Sequence, residues 1–293
     1  MINKTAIIFG ANGQDGYYLN EILQRNKIDV IKVSRQLGDR IGSVSDHEFV
    51  ENLIRQSQPL YVFHFAANSS TKHEHIFENH ETISTGTLNI LEAVRKHCPA
   101  AAVFISGSAM QFLNSGEPIN EQTLFDPSSP YSVARISSVY AARYFRNAFS
   151  TRVYVGYFFH HDSPLRNEHH VNQKIVKAVQ RIAVGSDEKL LLGNIEVQKE
   201  FNFAGDFMEA IWMLVNQEEY FEAVIGSGKA HSIREWVEYC FTTKKLDINE
   251  HLQLQKDFKS EFTTLVSDPS LILKIGWQPK VDFHSLANMM LNA

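Results

Sequence analysis

Tyr131 and Arg135 are the residues of this chain whose types and spacing most closely define a reaction. They stand four apart in a segment whose apolar spacing predicts a helix over 130–149, so both side chains leave the same side of that helix, one turn apart. A phenol with an ordinary pKa of about 10 carries protons poorly near neutrality, and a fixed neighbouring cation stabilises its phenolate. The pair can therefore pass a proton to or from a substrate hydroxyl while a hydride moves elsewhere. Arg135 brings permanent charge and can reach a cofactor's ribose, but it is planar and bulkier than lysine. The plain alternative is a half-buried aromatic at a helix start.

A hydride carrier is suggested by Gly10-Ala-Asn12-Gly13-Gln14-Asp15-Gly16, which directly follows the apolar run Thr5–Phe9. In a strand-loop-helix unit such glycines permit a tight turn, a close approach by a pyrophosphate and close packing of the helix, whose N-terminus faces the phosphates. The second predicted strand ends Val33-Ser34-Arg35, where an acidic residue would hold the ribose hydroxyls of NAD. Arg35 beside Ser34 favours NADP(H), with NAD(H) possible; a solvated surface arginine is the alternative.

Those residues need elements to hold them. Short apolar runs at Thr5–Phe9, Val30–Ser34, Leu60–Phe65, Ala101–Ser106 and Arg152–Phe158 alternate with helical patterns, one opened by a Ser45/Glu48 capping box and another covering Thr87–Lys96. This alternation predicts an α/β fold, a doubly wound parallel sheet of Rossmann type over residues 1–158. Residues 159–293, with a helix near 171–183 and a Gly276-Trp-Gln-Pro279 turn, read as a smaller mixed α/β substrate-binding lobe, some chain crossing back to the first domain.

Composition excludes several classes of function. A net charge of −5 offers no basic stripe for nucleic acid, and no apolar stretch approaches the length of a membrane span. Cys98 and Cys240 have no CxxC spacing, and the start Met-Ile-Asn-Lys lacks a signal-peptide core, so a reduced cytoplasmic protein is expected. Thirteen histidines include the pairs His160-His161 and His169-His170, without HExxH or Cys/His spacing, so no metal site is expected. His160 or His161 can instead serve as an acid/base, since imidazole titrates near neutrality.

Several segments together resemble the extended short-chain dehydrogenase/reductases that act on nucleotide sugars, specifically the GDP-mannose 4,6-dehydratases and their reductase relatives. The glycine loop, Phe63-His-Phe-Ala66-Ala67 and the approach Asn120 to Tyr131 carry the resemblance in the first half. In the second half His160-His-Asp-Ser-Pro164, Leu192-Gly-Asn194, Ala204-Gly-Asp206 and His231-Ser-Ile-Arg234 match in order. The resemblance implies Tyr131 as acid/base, with Arg135 and Ser108 beside it, and a cofactor on Gly10 to Gly16, Arg35, Ala66 and Ala67. It also implies a nucleotide sugar, GDP-hexose favoured, on His160, Lys174, Leu192, Lys199 and Lys259, and a homodimer or homotetramer through the helix carrying Ser137 to Arg146.

Where the family has Thr-Ser-Glu, this chain has Gly107-Ser108-Ala109, and neither Ala109 nor Met110 can act as the elimination acid. Arg135 replaces the family's lysine, Ile83 a frequent polar residue, Ser43 an aspartate, and Gln173 an arginine. Chemistry without elimination, a 4-keto-sugar reductase or epimerase, is therefore expected alongside dehydration. A catalytically silent relative that binds nucleotide or sugar nucleotide, with a regulatory or assembly role, is the alternative.

Overall fold

The computed structural model describes residues 4–293; Met1 to Asn3, which opened the signal-peptide argument, lie outside the described residues. Strand β1 (Thr5–Phe9) is buried on both faces, with Ile7 and Phe9 in one hydrophobic cluster and Ala6 and Ile8 in another. A continuous apolar run is what a parallel strand covered by helices on both sides requires. The first half continues through α1 (Gln14–Arg25), β2 (Asp29–Ser34), β3 (Arg40–Ile41), α2 (His47–Ser57) and β4 (Tyr61–His64). Next come α3 (Ile76–Asn79), a π-helical stretch His80–Thr85, α4 (Gly86–His97), β5 (Ala102–Ser108), α5 (Pro130–Phe149) and β6 (Val153–Phe158).

Helix α2 corrects one expectation. Its N-cap is Asp46, whose carboxylate accepts from Phe49 N at 3.0 Å, while the Ser45 hydroxyl is engaged with Ser43 Oγ at 2.8 Å. Two good capping residues stand side by side, and the one whose side chain reaches the third amide becomes the cap. Helix α5 begins where its sequence says it should: Ser129 caps it, accepting from Ser132 N, and Pro130 occupies the first turn.

With the late strand β11 (Glu222–Ile225) at one edge, seven strands form one sheet in the order β11-β6-β5-β4-β1-β2-β3, all pairings parallel. Strand order reverses direction between β1 and β4, and the crevice above the carboxyl ends of those strands is where doubly wound sheets bind ligands. Helices α2, α4 and α5 cover one face, whereas α1 and the later α7 (Ala204–Val215) cover the other.

Beyond β6 the chain runs through β7 (His161–Asp162), α6 (Val171–Ala183), β8 (Leu190–Leu192), β9 (Gln198–Glu200) and β10 (Asn202–Phe203). It returns to the sheet as α7 (Ala204–Val215) and the edge strand β11 (Glu222–Ile225). It then completes the lobe with β12 (Ala230–Ser232), α8 (Ile233–Thr243), α9 (Ile248–His251), β13 (Leu252–Leu254), β14 (Thr264–Leu265) and α11 (Phe283–Leu291), while α10 (Ser270–Lys274) packs back on β11 through the sheet-side core. The lobe has its own core, in which Val176, Val179, Phe201, Trp236, Phe241 and Met290 pack together.

Candidate active site

Two cavities meet at Gly13 on the switch-point side of the sheet. The first, of about 370 Å3, is lined among others by Gly13, Gln14, Asp15, Ala67, Ser108, Tyr131, Arg135 and His160. The second, of about 230 Å3, is lined by Gly10, Asn12, Gly13, Ser34, Arg35, Ser43, Ala66 and Ala67.

The glycine loop can hold a dinucleotide. Gly10 has φ +86°, and a Cβ there would lie 2.6 Å from Ala66 N, so β1 and the loop after β4 approach as only glycine permits. A Cβ on Gly16 would meet Ala11 at 2.6 Å, which brings α1 down onto the turn. At Gly13 the nearest atom would be 3.6 Å away, leaving that backbone open to the cavities. Gly13 is the N-cap of α1 and no side chain caps it, so the amides of the first turn face the site. Asn12 Nδ2 donates to Ser34 Oγ at 2.8 Å, tying the loop to the end of β2. Arg35 extends past that end, mostly exposed, with Nη1 3.3 Å from Glu78 Oε1.

Tyr131 lies at the start of α5, its ring packed with Ile83, Ala134 and Met110. Ile83 reaches it because the π-helical stretch shifts the chain there, held by Ser84 Oγ donating to Ala134 O and Ser138 Oγ to Ile83 O, each at 3.2 Å. The guanidinium of Arg135, 5% exposed, lies 5.1 Å from the Tyr131 ring centroid. Its Nη1 donates to the Ser106 carbonyl and, at 2.8 Å, to Ser106 Oγ. Ser106 Oγ in turn donates to the carbonyl of His64 at 2.9 Å. The arginine is thus pinned along β5 beneath the tyrosine, a fixed cation rather than a mobile arm. Burial, reinforced by Arg135, pushes the His64 imidazole down to about 3, so it stays neutral.

Ser108 sits one residue past Gly107 at the end of β5, where its hydroxyl accepts from Met110 N at 3.2 Å. That hydroxyl keeps its own hydrogen to donate into the cavity. A Cβ on Gly107 would come within 2.6 Å of Tyr157 Cδ1, and the Tyr157 hydroxyl is anchored on Glu222 at 2.6 Å. The glycine is therefore a packing requirement of the neighbouring strand.

The remaining expected residues divide. His160 lines the first cavity, and burial together with the cations Lys199 and Arg166 keeps its imidazole neutral, well below the ordinary range. Lys199 is buried beneath it with its amine 5.3 Å from the Phe201 ring centroid, and burial lowers it to about 8. Lys174 donates instead to Leu191 O at 2.6 Å, Leu192 packs into the lobe core, and Lys259 is exposed. None of Lys174, Leu192, Lys199 and Lys259 lines either cavity: Lys174 on α6 is tied to Leu191 O, Leu192 on β8 and Lys199 on β9 are buried, and Lys259 is exposed.

Sequence reasoning missed Ser106, Arg166 and His170. Arg166 and His170 line the first cavity, with Arg166 Nη2 3.2 Å from His170 Nδ1 and Arg166 Nε 3.2 Å from Asp162 Oδ1. Only their place just after His160-His-Asp-Ser-Pro164 could have signalled them. His161 proves unsuited to proton transfer, since both ring nitrogens face acceptors: Phe159 O at 2.8 Å and Asp15 Oδ1 at 3.0 Å. Among the described residues no group of three or more His, Cys, Asp or Glu is placed to hold a metal ion. No helix is long and apolar enough to cross a membrane.

The architecture has well-defined relatives. It superposes on the UDP-glucose 4-epimerase of Thermotoga maritima, solved with UDP-glucose, with a TM-score of 0.88 at 18% identity over 98% of this chain and 97% of that one. It superposes on RMD from Pseudomonas aeruginosa, solved with NADPH, with a TM-score of 0.85 at 18% identity over 99% and 98% of the two chains. By sequence it is 29% identical to GDP-mannose 4,6 dehydratase 1 of Arabidopsis thaliana, covering 99% of this chain and 89% of that protein. The model of the GDP-mannose 4,6 dehydratase family matches residues 7–290. With a seven-stranded doubly wound sheet and the tyrosine site above its switch point, the chain belongs to the GDP-mannose 4,6 dehydratase family of nucleotide-sugar enzymes, within the extended short-chain dehydrogenase/reductases.

Proposed function

We propose that this protein is an NADP(H)-dependent enzyme that reduces or epimerises a nucleotide-linked hexose through its C4, without eliminating water. The observation that carries this reading is the wall beside Tyr131: Ala109 and Met110 stand where an elimination acid is needed, and Tyr157 fills the space a larger residue at Gly107 would require. Tyr131 moves the proton at the sugar oxygen, Arg135 supports its charged form from a fixed position, and Ser108 donates a hydrogen bond to the same oxygen.

A bound nicotinamide would supply or accept the hydride. The open backbone at Gly13, the uncapped start of α1 and the close approach at Gly10 suit the dinucleotide's diphosphate, and Arg35 with Ser34 suits a 2′-phosphate. Arg166 gives the first cavity a permanent cation suited to the sugar's diphosphate, with the neutral imidazoles of His160 and His170 beside it for hydrogen bonding, and the curated relatives favour a GDP-hexose. We place self-association on the outer face of α5, where Val133, Tyr140 and Tyr144 are exposed along one stripe. Two free cysteines agree with a reducing, cytoplasmic setting.

The test is mass spectrometry of products after incubation with NADPH or NADP+ and a panel of GDP-, UDP-, dTDP- and CDP-hexoses and their 4-keto-6-deoxy derivatives. Gain of two hydrogens by a keto sugar, or an isomer of unchanged mass, is expected, together with loss of turnover in Tyr131→Phe by at least a hundredfold. Loss of water would refute the non-eliminating assignment. No product from any substrate, with dinucleotide binding intact, would favour the silent relative, for which the pinned Arg135 is the supporting feature.

A further inference from the structure

The first turn of α1 carries an unusual occupant for a phosphate-binding end. Asp15 lies one residue past the opening of the helix and lines the first cavity, so a carboxylate stands in the positive field that attracts an anionic diphosphate. A diphosphate bound there would stand beside a like charge. The lobe answers this conflict across 146 residues of sequence: His161 Nε2 lies 3.0 Å from Asp15 Oδ1.

That imidazole is firmly set. Its Nδ1 lies 2.8 Å from Phe159 O, and its ring stacks on Phe207 at a centroid distance of 4.7 Å. Both nitrogens face oxygens, so the ring is held at its two ends and its Nε2 edge is committed to the Asp15 carboxylate. The neighbouring Gln14 adds two bonds between the same segments: its Nε2 donates to His161 O at 3.1 Å, and its Oε1 accepts from Ser163 Oγ at 2.9 Å. Burial works against the Asp15 charge, yet His161, with Arg166 and Arg135 farther out, holds the carboxyl below its ordinary range.

We infer that His161 is a positioning residue for the dinucleotide: it holds the Asp15 carboxylate and offsets its charge, so that the phosphate-binding end of α1 presents no net negative group to the diphosphate. The inference rests on the nicotinamide-binding reading given above. It adds that the substrate lobe, through β7, contributes a charge to the cofactor site. No proton of His161 is used in the reaction.

The test is equilibrium binding of NADPH by its fluorescence, which needs no turnover, to the parent chain, His161→Phe, Asp15→Asn and the double variant. Phenylalanine keeps the stack on Phe207 while removing both hydrogen bonds. His161→Phe is expected to weaken binding about tenfold, more at low salt than at high, the behaviour of one partly screened like-charge contact. Adding Asp15→Asn should bring affinity back to within about threefold of the parent, because the uncovered charge is gone. A purely structural role predicts additive losses with no salt dependence. Unchanged affinity in His161→Phe, or a double variant weaker than His161→Phe, would overturn the inference. If His161→Phe fails to fold, Asp15→Asn alone decides: affinity equal to or above the parent's supports the inference, and a tenfold loss refutes it. Absence of NADPH and NADH binding by the parent would instead sink the nicotinamide reading itself.

Discussion

Replacing Gly107 tests whether this position is set by packing or is simply free to change. In Gly107→Ala the new Cβ would stand 2.6 Å from Tyr157 Cδ1 and 3.1 Å from Gln111 Oε1. Neither obstacle moves readily: Tyr157 is fully buried, and its hydroxyl is bound to Glu222 at 2.6 Å, which Arg143 and Arg146 grip at 2.7 and 3.2 Å. Overpacking of a well-filled core costs about 1–3 kcal/mol, and the immobility of this ring places alanine near the middle of that range and threonine near its top. Urea denaturation of parent, Gly107→Ala, Gly107→Thr, Tyr157→Val and Gly107→Thr/Tyr157→Val would measure it. Removing the ring should make threonine cheaper by about 1–2 kcal/mol than in the parent background, a coupling expected of residues in contact. Stability of Gly107→Thr within about 0.5 kcal/mol of the parent, or strict additivity in the double variant, would refute the reasoning.

Other consequences follow from the same geometry. Arg135→Lys gives up the paired contacts of Nη1 with Ser106, so turnover should fall about tenfold in steady-state assays; a faster enzyme would show that the site is not built around arginine. Acid should destabilise the fold, because His64 and His170 accept protons in the unfolded chain near their ordinary pKa of about 6.5 but are held to about 3 and about 4 in the native one. Stability then declines as pH falls below about 6.5, the buried His64 contributing up to about 1.4 kcal/mol per pH unit, and His64→Asn should flatten the slope in denaturation measured between about pH 7 and about pH 4. Tyr144→Glu, on the exposed stripe of α5, should shift light-scattering mass to that of a monomer while leaving the far-ultraviolet circular dichroism unchanged.

Local chemistry was readable and long-range chemistry was not. Helix α5 runs from Pro130 to Phe149 as its spacing predicts, since Ser129, Pro130 and the apolar stripe act within a few residues of one another. Tyr131 and Arg135 face one side for the same reason. The Asp46 cap was mistaken by one residue, because serine and aspartate are equally able and only geometry chooses between them. The pin between Arg135 and Ser106 spans 29 residues, and that between Asp15 and His161 spans 146, so no periodicity could announce them. The two-residue strand β3 and the return of β11 to the sheet carry too few residues for a pattern.

That return has a consequence for biosynthesis. The sheet's outer strand, Glu222–Ile225, is made only after the lobe's first helix, and Trp277, which packs against Phe207 on the sheet's covered side, comes later still. A nascent chain that has reached Phe158 therefore presents β6 as a bare edge, with Val155 to Phe158 unpaired and the groove for α7 empty. Such an edge invites pairing with other chains. The ribosome must deliver more than two-thirds of the protein before the seven-stranded sheet can be completed, and a fragment ending at Phe158 should aggregate rather than fold.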